Sequence, residues 1–151
     1  MVGQKTDFTK WISSLPQPQP PTPPDYFFFY GTLMKGRSAL SRSLAGKLRL
    51  VGMGTTPGKV VTIETPTLSY PGLVEVGHRL SKVSGQVMAP TRLFRDEDFK
   101  AINAWEDYDP ASPTTSLYRL EMLPVALSLG GTVTAATYVY QGPMPARRPM
   151  L

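Results

Sequence analysis

Short apolar runs, broken by glycine, proline and polar residues, predict that this chain is rich in strands. The first run, Tyr26-Phe27-Phe28-Phe29-Tyr30, is entirely aromatic and stops at Gly31, which is typical of a buried strand with an abrupt end. Further strand-like runs lie at 59–63, 73–76, 82–89, 118–127 and 132–140. Gly130 and Gly131 separate the last two runs and predict a hairpin turn.

Two segments have the pattern of helices. One covers residues 38–44 and is closed by Gly46; the other covers residues 94–108 and has three acidic residues in its first turn. The predicted inward stripe of the second helix consists of Phe94, Asp98, Phe99, Ile102 and Trp105. Because strands and helices do not alternate regularly, we expect an α+β fold, a small mixed β-barrel or sheet with flanking helices.

Proline marks the ends of the predicted domain. Six prolines lie between residues 16 and 24, so residues 1–24 are expected to form an extended, proline-rich N-terminal arm. The arm is interpreted as a spacer, with a ligand for a proline-binding protein partner as the alternative. The folded domain is predicted at residues 25–142, and residues 143–151 are predicted to be a C-terminal tail.

Composition excludes several classes of function. The 151-residue chain has no cysteine and one histidine, His78, which excludes disulfide scaffolds, a cysteine nucleophile and a histidine-rich metal site. The net charge of +5 is too weak to indicate a nucleic-acid partner. No apolar run is long enough to span a membrane and no signal peptide is evident, so we expect a cytoplasmic protein without a membrane partner.

The segment Tyr30-Gly31-Thr32-Leu33-Met34 follows the first strand and predicts a turn with exposed backbone N–H groups. Such a turn binds anions or stabilises an oxygen on which negative charge develops. No acidic residue occurs between Tyr26 and Ile63, so the local field is positive and suits an acidic ligand. The alternatives are a tight strand exit with a solvated basic face, or a phosphate loop in which Arg37 replaces the usual lysine.

Glu106 is the candidate acid or base. It follows Trp105 at the end of the second helix, so it is expected at the border between core and surface. A carboxyl group beside aromatic residues at a pocket edge can have a pKa raised by desolvation, which suits general acid–base catalysis near pH 7. The alternative is an ordinary surface acid; Asp107 and Asp109 are expected to face water, and His78 to lie in a solvated loop.

Several short motifs, in this order, resemble the gamma-glutamylcyclotransferase-like superfamily, in its avirulence-induced-gene-like branch. They lie at 30–34 (Tyr-Gly-Thr-Leu-Met), 70–74 (Tyr-Pro-Gly-Leu-Val), 83–88, 103–108 (Asn-Ala-Trp-Glu-Asp-Tyr), 117–119 (Leu-Tyr-Arg) and 137–140 (Thr-Tyr-Val-Tyr). The resemblance implies a small mixed barrel with a cavity near the turn at residues 30–34, the glycine loop. It also implies conversion of a γ-glutamyl amine or amino acid into 5-oxoproline and a free amine.

The resemblance also implies roles for individual residues. Glu106 would be the catalytic acid/base, and the backbone of Gly31, Thr32 and Leu33 would hold the substrate. Tyr30 and Tyr118 would line the site. The substrate's own amine attacks its own carbonyl, so neither cofactor nor metal is expected. A non-catalytic binding module on the same fold, for a small molecule or a protein, is the alternative.

Overall fold

The structure, a computed structural model, describes residues 23–31, 33–64, 66, 69–74 and 81–143. Within these residues the chain forms seven strands and two helices. In chain order they are β1 (Phe27–Phe29), α1 (Ala39–Ser43), β2 (Leu48–Pro57), β3 (Lys59–Glu64), β4 (Ser69–Val74), β5 (Lys82–Pro90), α2 (Asp96–Trp105), β6 (Tyr118–Leu127) and β7 (Thr132–Tyr140). Most of the predicted arm and tail, and His78, lie outside the described residues.

Five strands close into a barrel in the order β1-β5-β2-β6-β7, and β7 pairs with β1 to complete the ring. All pairs within the ring are antiparallel except β1–β7, which is parallel. The antiparallel hairpin of β3 and β4 extends the sheet outward from β7. The predicted α+β class and small mixed barrel are therefore confirmed.

One edge of β7 is shared between two partners, and this opens the sheet. β6 pairs along the whole of the other edge, from Tyr118↔Tyr140 to Ala126↔Thr132. On the shared edge, β1 pairs with Ala136 and Thr137, whereas β4 pairs with Val139. The chain leaving β1 must therefore turn away from β7 where β4 begins to pair, and the glycine loop lies at this split.

The core has two clusters that follow from strand alternation. Phe27 and Phe29 belong to the cluster that contains Phe99 and Ile102 of α2, so this cluster packs between the helix and the barrel. Phe28, on the opposite face of β1, belongs to the other cluster, whose fully buried members all come from strands. Gly54 and Gly85 are register partners, and a Cβ at Gly54 would lie 2.6 Å from Val125 Cγ1, so the glycines make room for side chains inside the barrel.

Some predicted elements differ from the structure. β2 was not predicted, because its glycines and a bulge between Leu50 and Gly52 disrupt the alternation of apolar side chains. β4 begins at Ser69 rather than at residue 73, because pairing with β3 keeps Pro71 and Gly72 in an extended conformation. The predicted helix 94–108 is shorter in the structure, Asp96–Trp105. In the part of the chain described here, no helix is long and apolar enough to cross a membrane.

Candidate active site

A cavity of about 630 Å³ lies where β1 and β4 separate along β7. Its walls are formed by the end of β1, the glycine loop, β4, the last turn of α2, the start of β6 and the final residues of β7. The lining residues are Phe28, Phe29, Tyr30, Gly31, Leu33, Tyr70, Pro71, Trp105, Glu106, Asp107, Leu117, Tyr118 and Tyr138. This set includes every predicted site residue except Thr32, which lies outside the described residues.

Tyr30 follows β1 and lines the cavity, and its hydroxyl is hydrogen-bonded to both β4 and β7. The hydroxyl donates to the Tyr138 carbonyl oxygen at 2.7 Å and accepts from the Leu73 N–H at 2.8 Å. These bonds bridge β4 and β7 at the split in the sheet. Burial, and secondarily the nearby Glu106 charge, raise the pKa of Tyr30 well above its ordinary value. Tyr30 therefore holds the cavity wall in place as a neutral phenol.

The glycine loop brings backbone donors to the cavity. The Gly31 carbonyl accepts from the Met34 N–H at 3.0 Å, which closes the turn. The N–H groups of Gly31 and Leu33 donate no hydrogen bond to any residue that the structure describes. A Cβ at Gly31 would lie 3.1 Å from Pro71 Cγ, so a side chain there would crowd the wall. The Leu33 side chain is buried in the core, and the residue also lines the cavity.

Glu106 is held by the way α2 ends. It is the C-cap of the helix, and its N–H donates to the Ile102 carbonyl at 3.0 Å. The Asp107 N–H then donates to Ala104 and the Tyr108 N–H to Asn103, the pattern of a Schellman motif. Asp107 has φ of 51° at the position where glycine is preferred. The turn stops the helix at Glu106, beside the cavity.

The environment of Glu106 suits proton transfer near neutral pH. The residue is half-buried and lines the cavity, and desolvation by burial raises its pKa from the ordinary 4.5 to about 7. Desolvation, and after it the Glu106 charge, raises the pKa values of Tyr30, Tyr118 and Tyr138, which line the same cavity. Its carboxyl group forms no hydrogen bond with a residue that the structure describes. The carboxyl group is thus available to a ligand.

Tyr118, the first residue of β6, lies on the other side of the cavity. Its hydroxyl donates to the Pro71 carbonyl at 2.8 Å. Its ring packs against Tyr70 at 6.4 Å and edge-on against Tyr140 at 5.4 Å between centroids. Burial raises its pKa well above the ordinary range. Tyr118 therefore provides a rigid, neutral aromatic wall.

The family model described as Gamma-glutamyl cyclotransferase, AIG2-like matches residues 27–150, most of the chain. The chain belongs to this family. The resemblance inferred from the sequence motifs is therefore confirmed. No curated protein matches the chain.

Solved structures share the fold of this chain. An AIG2-like protein from Mus musculus superposes with a TM-score of 0.59 at 19% identity, covering 80% of each chain. A protein named Gamma-glutamyl cyclotransferase gives a TM-score of 0.52 at 11% identity, covering 77% of this chain and 66% of its own. YkqA from Bacillus subtilis gives 0.56 at 17%, covering 80% of this chain and 41% of its own. At these identities the likeness shows the fold alone.

In this AIG2-like protein, two residues that line the cavity were not predicted as site residues. Tyr138 and Tyr70 were recognised only as parts of motifs, yet both line the cavity. The Tyr138 hydroxyl donates to Asn103 Oδ1 on α2. Alternation along β7 could have placed Tyr138 on the same face as Tyr140, but its partner on a helix 35 residues earlier depends on tertiary packing. Trp105, predicted to face inward, is instead 46% exposed at the cavity's edge.

The expected positive field is not at the cavity. The only charged residues among the described lining residues are Glu106 and Asp107. Lys35, Arg42 and Arg49 line a separate hollow that shares the Leu33 wall, and Lys47 is paired with Asp98 at 2.9 Å. Ser38, which follows Arg37 at the serine position of a phosphate loop, caps α1 instead, because its hydroxyl accepts from the Ser41 N–H at 3.1 Å. Among described residues, no group of three or more His, Asp or Glu side chains could hold a metal ion.

Proposed function

We propose that the protein is a cyclotransferase that converts a γ-glutamyl amine or amino acid into 5-oxoproline and a free amine. One observation carries the proposal: a carboxyl group with a raised pKa, Glu106, shares an aromatic cavity with Gly31 and Leu33, whose backbone N–H groups donate to no residue that the structure describes. Membership of the cyclotransferase family supports this class of reaction.

The proposed chemistry needs one proton carrier and one oxyanion site. Ionised Glu106 takes a proton from the substrate's α-ammonium, and the freed amine attacks the γ-carbonyl carbon of the same molecule. The new C–N bond closes a five-membered ring and moves charge to the carbonyl oxygen. The N–H groups of Gly31 and Leu33 are assigned to stabilise that oxygen.

Ring opening at the old amide completes the cycle. Protonated Glu106 returns its proton to the leaving nitrogen while the original C–N bond breaks, and the extra proton on the ring nitrogen passes to the departing amine. All substrate atoms are divided between the two products and no water is consumed. The cavity holds the substrate folded for an intramolecular reaction, which contributes to the rate.

The charges around the cavity favour one part of the substrate class. The described lining residues include two acids and no cation, so from these residues a leaving group with further carboxylates would meet repulsion and no cationic partner. An uncharged or cationic amine fits the aromatic walls better. We therefore expect γ-glutamyl amines to react faster than glutathione, whose far end carries a carboxylate.

A substrate panel tests the proposal. Purified protein is incubated with γ-glutamyl amines, γ-glutamyl amino acids, γ-glutamyl-ε-lysine and glutathione, and 5-oxoproline is detected by mass spectrometry. Glu106→Gln is expected to lower kcat at least about 100-fold, the usual contribution of general acid–base catalysis. The matched control, Glu97→Gln, changes an exposed acid in the first turn of the same helix and is expected to have no effect. Saturable binding without product would instead indicate a binding module.

A further inference from the structure

Tyr138 connects the two halves of the candidate site. Its carbonyl oxygen accepts from the Tyr30 hydroxyl, next to the glycine loop, at 2.7 Å. Its own hydroxyl donates to Asn103 Oδ1, on the helix that carries Glu106. Tyr138 is 1% exposed and Asn103 is 4% exposed. One residue of β7 thus fixes both the loop that would hold the oxyanion and the helix that presents the acid.

Asn103 lies one turn before Glu106 and acts on the end of α2 in two ways. Its side chain is bonded to Tyr138, and its carbonyl oxygen accepts from the Tyr108 N–H at 2.9 Å in the turn that follows Glu106. The Tyr108 ring also packs edge-on against the Tyr138 ring, with centroids 6.2 Å apart. The last turn of the helix is therefore attached to β7 on both sides of Glu106.

A buried polar pair is not needed to fill this space. Leucine and phenylalanine have similar shapes to asparagine and tyrosine, and replacing both partners of a buried hydrogen bond by apolar groups is often nearly neutral for stability. What the hydrogen bond adds is direction, because it fixes the helix at one rotation and one height against the strand. Glu106 needs such a constraint, since both burial and the negative end of the helix dipole favour moving a carboxylate out to water.

We propose that Asn103 and Tyr138 are positioning residues, whose side-chain hydrogen bond holds the end of α2 so that Glu106 faces the glycine loop. This inference rests on the proposed function for its effect on turnover. Neither side chain transfers a proton in the reaction. They act through the place that they give to Glu106.

The kinetic test uses Tyr138→Phe, Asn103→Leu and the double variant. Each single variant is expected to lower kcat about 10- to 100-fold, because a displacement near 1 Å costs that much, while KM changes less than about threefold. The double variant is expected to be no slower than the slower single variant, since both changes break the same bond. The control is Tyr140→Phe, which removes another β7 hydroxyl, one that donates to the Pro143 carbonyl outside the cavity. This variant is expected to leave kcat unchanged.

A second readout does not depend on activity. The five glutamates are labelled with carbon-13 at the side-chain carboxyl, and the signal missing from Glu106→Gln identifies Glu106. Titration of that signal is expected to show a lower pKa in Tyr138→Phe and Asn103→Leu than in the wild type, because the freed carboxyl reaches water. Among the described lining residues, the other ionisable groups are Asp107 and tyrosines 30, 70, 118 and 138. Tyr138→Phe removes one of them, and Asn103→Leu removes none.

The outcomes separate the two proposals. An inactive wild type would refute the proposed function, while the titration would still decide the positioning role. Folded variants in which Glu106 keeps its wild-type pKa would overturn the positioning role, whatever the activity. Tyr138→Phe keeps the ring and most of the packing, so it decides the question if Asn103→Leu does not fold. The same loss of kcat in Tyr140→Phe would also overturn it.

Discussion

Replacing Glu106 by glutamine should stabilise the protein at alkaline pH and not at acidic pH. Burial gives the Glu106 carboxyl a pKa of about 7 in the folded protein, against 4.5 ordinarily. Between these values the folded protein binds a proton that the unfolded chain has released, so the free energy of unfolding falls as pH rises. At about 1.4 kcal/mol per pKa unit, the full loss above pH 7 is about 3 kcal/mol. Glutamine cannot ionise, so the variant avoids this loss.

The test is urea unfolding of wild type and Glu106→Gln at pH 5 and pH 8. We expect the stability of the variant relative to wild type to increase by about 2–3 kcal/mol between the two pH values. Any pH-independent cost of burying the amide cancels in this difference. Glu97→Gln, on the exposed side of α2, is the control and should show no such change. Equal relative stability of Glu106→Gln at pH 5 and pH 8 would refute the claim that this carboxyl is desolvated.

Two further predictions concern the fold. Gly85→Ala should lower the free energy of unfolding by about 1–3 kcal/mol, measured in urea. The reason is that the added Cβ would lie 2.7 Å from the Phe28 ring and would also meet the Phe29 carbonyl. Gly52→Ala, with open space around the added Cβ, should cost less than about 1 kcal/mol. Equal costs would contradict the packing described for the barrel interior. Asp107→Gly should raise stability by about 0.5–1 kcal/mol, measured as a higher Tm, because glycine adopts the φ of 51° without strain; a lower Tm would be the contrary result.

The fold could be predicted from the sequence wherever one local pattern dominates. The aromatic run of β1, the hairpin of β6 and β7, and α2 with its acidic first turn all carry such patterns. β2 does not, because it is defined by long antiparallel pairing with β5 rather than by alternation of its own residues. Pro71 likewise disfavours a strand locally, and β4 forms there because β3 is its partner.

The candidate site could be predicted where chemistry and chain position coincide. Glu106 follows a helix beside aromatic residues, and Gly31 follows a buried strand, so both were predicted, with the family resemblance assigning their roles. The bond between Tyr138 and Asn103 could not, because it depends on how α2 lies against β7. The positive field expected at the glycine loop could not be assigned to the cavity for the same reason: Lys35 and Arg42, close to the loop in sequence, line a separate hollow.

Turnover of a γ-glutamyl amine in oxygen-18 water tests whether Glu106 catalyses cyclisation, with wild type, Glu106→Gln and Glu97→Gln compared by mass spectrometry. We expect equal amounts of 5-oxoproline and free amine, no oxygen-18 in the 5-oxoproline, and a rate at least about 100-fold lower in Glu106→Gln only. Labelled glutamate as the product would show hydrolysis rather than cyclisation. Unlabelled 5-oxoproline formed at the wild-type rate by Glu106→Gln would contradict the role given to Glu106.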